Sequence, residues 1–180
     1  MKKILVMTMA MLAMAFAFTS CGDDDDVDVN AFKSCVFKAE PSFSNDMMNL
    51  YDITVTYTAM NGSVKVITPQ NAAFPILDEG TQLPATVKLE IKAVKKPTFD
   101  EYMNSKDEFN IMINSPLAYA SYKTVGGESK GLWSDKYEGY YVGVSREEAL
   151  VCLKNLEPHI NITVEGTFTK SGNGCTFVKK

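Results

Sequence analysis

The sequence predicts a mostly β (α+β) domain, either an antiparallel β-sandwich or a sheet with one late helix packed on one face. Apolar and polar residues alternate with a period of two over 51–59, 86–94 and 160–169, which is typical of strands with one buried face. Short turns separate most of the predicted strands, which favours antiparallel pairing. The clearest helical spacing of apolar residues follows Ser145, so the helix comes late in the chain.

Residues 1–26 differ in composition from the rest of the chain. Lys2 and Lys3 precede an uncharged, mostly apolar run over 4–18, and small residues then lead to Cys21. This order is typical of a secretory signal. The apolar run is shorter than the roughly 20 residues that cross a membrane. We therefore predict a signal peptide over residues 1–20.

The segment Phe18-Thr19-Ser20-Cys21 resembles the lipobox of bacterial lipoproteins, which are acylated on the cysteine that becomes the mature N-terminus. An acidic run follows and is similar to the export signal of Bacteroidetes surface lipoproteins; its residues are Asp23, Asp24, Asp25 and Asp26. The resemblance covers residues 1–28 alone. It implies that Cys21 carries acyl chains such as palmitate, that residues 21–29 form an acidic tether, and that the protein is lipid-anchored in the outer membrane at the cell surface.

Residues 30–180 have the length of a single domain. The chain has 18 basic and 22 acidic residues, and five of the acids lie within 23–28, so the domain itself is close to neutral. Because nucleic-acid binding needs a basic face, we expect no nucleic-acid partner. The acidic run is interpreted as a solvated spacer. A calcium loop is the alternative, but the run lacks that loop's glycine and distal glutamate.

The first clear hairpin is centred on Asn61 and Gly62, a pair that favours a two-residue type I′ turn. Such a turn places Tyr57 opposite Val66, so that the apolar faces of the two strands coincide. The strand before this turn covers 51–59.

The other early elements are less regular. Residues 29–38 predict a first strand, and 41–49 are interpreted as a polar break. Residues 68–84 contain three prolines and predict a long connection, and the strand over 86–94 has a charged outer face. Further on, a capping box at Thr98 predicts a short helix. Short strands follow over 109–113, 119–124 and 140–144.

Ser145 and Glu148 form a second capping box, at the start of the best helix in the chain, and Pro158 lies just after its expected end. In the last hairpin, a four-residue loop would place Phe168 opposite Phe177 and turn Cys175 toward the apolar face. The late helix is expected to dock on that face. Eight or nine strands could also close into a lipocalin-like barrel, because strand number does not separate the two architectures.

If a disulfide forms, docking of the late helix makes Cys152 with Cys175 the expected pair. The alternative is three buried thiols. No CxxC spacing indicates a zinc site, and His159, the only histidine, cannot build one alone. No sequence motif indicates a serine nucleophile for this histidine. We therefore expect no metal, no cofactor and no catalytic residue; a carboxylate-dependent hydrolase is the less favoured reading.

Aromatic residues concentrate in residues 119–141, between glycines and lysines. The candidate ligand-binding residues are Tyr122, Trp133, Tyr137 and Tyr140. Such rings bury a large area at a small entropic cost, and their polar tips form hydrogen bonds. The stretch suits a glycan, a peptide or a partner protein. One alternative is that the rings only complete the rim of the β core, and another is that the protein is a structural or assembly accessory.

Overall fold

A computed structural model describes residues 27–69, 75–114, 118–171 and 174–180. The predicted signal peptide, the lipidation residue Cys21 and the export-signal residues lie outside the described residues; the latter are Asp23, Asp24, Asp25 and Asp26.

The described part of the chain contains twelve strands and three helices. The strands are β1 (Phe32–Ala39), β2 (Ser42–Phe43), β3 (Tyr51–Thr58), β4 (Val64–Ile67), β5 (Ile76–Gly80), β6 (Ala85–Lys95), β7 (Glu108–Asn114), β8 (Ala118–Thr124), β9 (Ser129–Asp135), β10 (Glu138–Ser145), β11 (Ile162–Phe168) and β12 (Cys175–Lys179). The helices are α1 (Asn45–Leu50), α2 (Phe99–Asn104) and α3 (Arg146–Ile160).

All strand pairs are antiparallel and form three sheets, with the orders β5-β1-β8-β9, β10-β7-β2 and β12-β11-β6-β3-β4. The chain passes directly between the first two sheets at three places, from β1 to β2, from β7 to β8 and from β9 to β10. They therefore make one layer, and the five-stranded sheet makes the other. The described strands do not close into a barrel, so the β-sandwich prediction is confirmed and the barrel alternative is wrong.

Stacked aromatic rings join the two layers. Phe37 of β1 lies 5.7 Å from Tyr57 of β3 and 6.3 Å from Phe177 of β12, measured between ring centroids. Phe37 and Tyr57 are almost completely buried. The alternation of β3 predicts this arrangement, because its apolar residues all point toward the opposite layer.

The late helix α3 begins with the predicted capping box, in which Ser145 and Glu148 bond each other's backbone amides. It contacts β7 and β10 of one layer and β6 of the other, so it fills the space between the layers at one end. Gly139 makes this approach possible, because a Cβ there would lie 2.5 Å from Leu156 Cδ2. The helix continues through Pro158, which the sequence had put outside it, to Ile160.

The predicted register of the first hairpin is wrong by one residue. Tyr57 pairs with Lys65 and not with Val66, because the loop has three residues and Gly62 adopts φ +80°, the left-handed position that ends such loops. A shift of one residue turns every side chain to the other face. Val64 and Val66 are therefore 61% and 67% exposed.

Other local predictions also need correction. In the last hairpin Phe177 lies opposite Gly166 instead of Phe168, a shift of two residues that leaves Cys175 on the inner face. The polar break over 41–49 contains β2 and α1, since Ser44 caps a helix there. The connection over 68–84 contains β5, which pairs with β1.

Candidate binding cleft

The four aromatic residues predicted as a binding surface do not come together. Trp133 stacks on Phe177 with centroids 4.2 Å apart, and Tyr137 stacks on His159 at 3.6 Å. Both rings are half-buried against the core. Tyr122 is half-buried on β8, opposite Cys35. Their main contacts are therefore structural.

Tyr140 is the exception, because 70% of it is exposed. It points outward from β10, opposite Met112 of β7, and lines a cleft of about 600 Å³ on the outer face of the three-stranded sheet. Helix α1 and Tyr102 of α2 form the other wall. The lining is mostly polar and comprises Ser44, Asn45, Asp46, Asn49, Tyr102, Lys106, Asn110, Met112, Tyr140 and Val142.

Asp46 organises the floor of this cleft. Asp46 is 4% exposed, and its carboxylate accepts hydrogen bonds from the Tyr102 hydroxyl at 2.5 Å and from the Asn110 backbone amide at 2.6 Å. Lys106 Nζ bonds both carboxylate oxygens, at 2.9 and 3.0 Å. One acid thus ties α1 to the loop after α2 and to β7, and it fixes the shape of the cleft.

Hydrogen bonds of Ser44 and Asn110 also connect α1 with β7. The Ser44 hydroxyl caps α1 at the Met47 amide and donates to the Asn110 carbonyl at 2.6 Å. The Asn110 side chain accepts from Gly143 N at 3.0 Å. Gly143 has φ +61° and lies in a bulge of β10. Because bulges re-aim neighbouring side chains, this contact helps to set the direction of Tyr140.

The network leaves Asp46 without an available lone pair for catalysis. Burial alone would raise the pKa of Asp46, but the hydrogen bonds from Tyr102, Asn110 and Lys106 outweigh it and hold the pKa below its usual range. In turn, Asp46 raises the pKa of Lys106. Opposite charges therefore cancel on the cleft floor, and Asp46 is the only carboxylate among the lining residues. A general base with a raised pKa, which acid–base catalysis favours, is not built here.

A second cavity of about 370 Å³ adjoins the cleft and shares Met112 and Tyr140 with it. Its lining includes Ser42, Asn114 and Glu138. The Asn114 Oδ1 atom is buried and has no hydrogen-bond partner among the described residues. Tyr140 thus stands between two adjoining spaces, one of which offers an unused acceptor.

His159, the only histidine of the chain, has structural contacts. It lies in the last turn of α3 and stacks on Tyr137. Burial and the nearby Lys179 ammonium lower the pKa of the imidazole, and Lys179 in turn pairs with Asp135 at 2.7 Å. The imidazole Nδ1 atom is buried and has no hydrogen-bond partner among the described residues, so the contacts of His159 are those of a packing residue.

The described cysteines, Cys35, Cys152 and Cys175, are free thiols. The expected Cys152–Cys175 disulfide is not formed in this structure. The physical reason is that α3, which carries Cys152, packs mainly on β7 and β10, whereas Cys175 lies on β12 opposite Phe168.

Sequence reasoning missed most of the cleft. Asp46 lies about sixty residues before Lys106 and Asn110 and shares no motif with them. The one local signal is Ser44, a good N-cap residue before α1, which could have indicated a helix there. Within 27–69, 75–114, 118–171 and 174–180, no group of three or more His, Cys, Asp or Glu side chains could hold a metal ion.

Neither a comparison with models of protein families nor one with curated proteins finds a match for this chain. Of the helices that the structure describes, none has the length and apolar character needed to span a bilayer.

Proposed function

We propose that the protein is a non-enzymatic, lipid-anchored protein of the cell envelope that binds a glycan in the cleft beside Tyr140. The observation that carries the proposal is an exposed aromatic ring next to a polar cleft with cancelled charge. Ligand sites are concave and combine apolar surface with a few fixed polar groups. The cleft has this composition, and its fixed groups are held by the Asp46 network.

The chemistry of the lining suits a sugar. A sugar ring has one face of C–H groups and a rim of hydroxyls, so it can lie on the Tyr140 ring and form hydrogen bonds with amide side chains. Asn45 and Asn49 are exposed at the cleft and can donate and accept. Since Asp46 and Lys106 neutralise each other, an uncharged ligand is favoured over an acidic or basic peptide.

The path of the chain supports a role away from the membrane. Residues 29 and 31 bond the backbone at Gly126 and Val125, beside the β8–β9 turn, so the tether enters at that end. From there β1 runs eight residues, or roughly 26 Å, before the chain reaches α1 at the cleft. If Cys21 carries lipid, the tether therefore joins the domain at a distance from the cleft, which leaves the cleft accessible to a ligand.

Binding would be tested with the exported full-length protein, purified in detergent, on arrays of glycans and of peptides. We expect glycan binding that is lost in Tyr140→Ala and retained in Tyr119→Ala. Tyr119 is a matched control because it is also exposed but lies on β8, away from the cleft. Binding to peptides alone, equal binding by Tyr140→Ala, or no glycan bound at millimolar concentration would contradict the proposal.

The anchor has its own test. Mass spectrometry of protein extracted from membranes is expected to find a mature chain that begins at Cys21 and carries acyl chains. A mature chain that begins elsewhere, or an unmodified Cys21, would refute the anchor and leave the binding result unaffected.

A further inference from the structure

A pair of sulfur atoms lies between β1 and the loop after β3, and neither residue lines the Tyr140 cleft. Cys35 of β1 is 1% exposed. Its Sγ lies 3.4 Å from Met60 Sδ, and also 3.4 Å from the carbonyl oxygen of Gly80. Three potential donor atoms, two of them sulfur, thus meet at one point. We call Cys35, Met60 and Gly80 the sulfur site.

Gly80 leaves the space in which the two sulfurs meet. Gly80 pairs with Cys35 across β5 and β1. A Cβ at Gly80 would lie 2.7 Å from Met60 Sδ and 3.6 Å from Cys35 Sγ. Any side chain other than hydrogen would therefore push Met60 away from the thiol.

The backbone of Met60 is held in place by a neighbouring acid. Asp78 Oδ2 accepts a hydrogen bond from Met60 N at 2.7 Å, and the same oxygen accepts one from the Tyr57 hydroxyl at 2.8 Å. The loop that contains Met60 is closed by a bond from Gly62 N to the Ala59 carbonyl at 2.8 Å. These hydrogen bonds hold the backbone of the loop so that the Met60 thioether lies against Cys35.

Solvent reaches the sulfur site from the side of Met60. A cavity of about 330 Å³ is lined by Met60, Asp78, Glu79 and Gly80, among others, whereas Cys35 lies behind Met60. The Asp78 carboxylate at the entrance attracts cations, whereas Glu79 beside it is paired with Lys123 at 3.1 Å. An ion that entered here would meet the thioether first and the thiol second.

We propose that the sulfur site binds a soft monovalent metal ion, Cu⁺ or Ag⁺, through Cys35 Sγ and Met60 Sδ with the Gly80 carbonyl as a third contact. Thiolate and thioether are soft ligands that select Cu⁺. Zinc is disfavoured because its structural sites need four ligands of the cysteine, histidine or carboxylate type, and the described chain supplies no such cluster.

Binding requires the loss of one proton. The Cys35 thiol gives its proton to solvent, and the resulting thiolate forms a bond to the ion, so no electron is transferred. Burial raises the pKa of Cys35, and the nearby Asp78 and Glu79 carboxylates raise it further, so the metal must displace the proton. The negative charge of the thiolate compensates the positive charge of the bound ion.

A small movement of the Met60 side chain would increase the distance between the two sulfurs enough to admit the ion. At a metal–sulfur distance of about 2.3 Å, that of a zinc–thiolate bond, two sulfurs at a trigonal angle would lie about 4.0 Å apart. The thioether would withdraw by about 0.6 Å toward the cavity, which the three rotatable bonds of methionine permit.

The test is Cu⁺ binding by the exported full-length protein, measured without oxygen in competition with a chromogenic Cu⁺ chelator. We expect one bound ion. Cys35→Ser and Met60→Leu should each lower the affinity at least tenfold, while Cys152→Ser and Cys175→Ser serve as matched controls and leave it unchanged. X-ray absorption should find two sulfur neighbours of copper in the wild type and one in Met60→Leu.

Met60→Leu keeps size and apolar character and is the safer variant for folding, which circular dichroism checks. Unchanged affinity and two sulfur neighbours in this variant would overturn the proposal. An equal loss of affinity in Cys35→Ser, Cys152→Ser and Cys175→Ser would also overturn it, because the ion would then bind any thiol.

Discussion

Replacement of Asp46 by Asn tests whether one buried carboxylate holds the cleft together. Asn presents an N–H₂ group where Asp46 presents an oxygen, so either the Tyr102 hydroxyl or the Asn110 amide loses its acceptor. An unsatisfied buried group costs about 1–3 kcal/mol. Loss of the ion pair with the partly exposed Lys106 adds up to about 1 kcal/mol. We therefore expect Asp46→Asn to lower the free energy of unfolding by about 1–4 kcal/mol.

Urea unfolding followed by circular dichroism measures this difference. Asp52→Asn is the control, since Asp52 is 69% exposed and lies 3.7 Å from Lys96, and we expect a change within about 0.5 kcal/mol. The folded pKa of Asp46 is lowered, so its stabilisation is present above the unfolded pKa and is lost as pH falls through the folded pKa. The difference in stability between the two proteins should therefore begin to shrink below about pH 4, the unfolded pKa of Asp, and vanish as pH falls through the lower folded pKa. Equal stability at pH 7, or a difference independent of pH, would refute the reasoning.

Three further predictions concern packing, register and the single histidine. Gly139→Ala should lower the free energy of unfolding by about 1–3 kcal/mol, because the new methyl group meets Leu156; unfolding at the wild-type urea midpoint would contradict this contact. Val66→Thr should change the free energy of unfolding by less than about 0.5 kcal/mol. Val55→Thr places a hydroxyl at a fully buried position and should lower that free energy by more than about 1 kcal/mol. A larger effect of Val66→Thr than of Val55→Thr would favour the register predicted from sequence. The imidazole resonance of His159 should titrate by NMR below pH 6.5, its ordinary value, and move up toward that value in Tyr137→Ala, which removes the stacked ring; titration above 6.5 in the wild type would show that the histidine is solvated.

The fold class follows from the sequence because alternation reports which face of a strand is buried. In β3 and β6 the apolar residues point into the sandwich at nearly every second position. The capping box at Ser145 is equally local and defines the start of α3. These features need no knowledge of distant residues, and they were predicted correctly.

The register of paired strands was harder to predict than the fold class, because register depends on loop geometry and on contacts with residues distant in the sequence. Asn61-Gly62 favours a two-residue turn, yet the loop gains a third residue, Met60, whose amide is bound by Asp78 of β5. The sequence gives no sign of that partner. Strand β5 itself was missed, since Asp78 and Glu79 are poor strand residues whose carboxylates find partners in distant elements, among them Tyr57 and Lys123.

The candidate sites were the least predictable part. Of the aromatic residues singled out, Tyr140 alone is exposed at a cleft, because Phe177 and His159 cover Trp133 and Tyr137. The Asp46 network and the pair of Cys35 with Met60 join residues from different elements. Only the folded chain brings such groups together, so spacing along the sequence cannot indicate them.

The most direct measurement of the binding account is a crystal structure of the protein with the glycan that binds best on the array. The account predicts a sugar ring stacked on Tyr140 with hydrogen bonds to Asn45 or Asn49 of the cleft. A sugar bound on any other surface, with the Tyr140 ring uncovered, would contradict it.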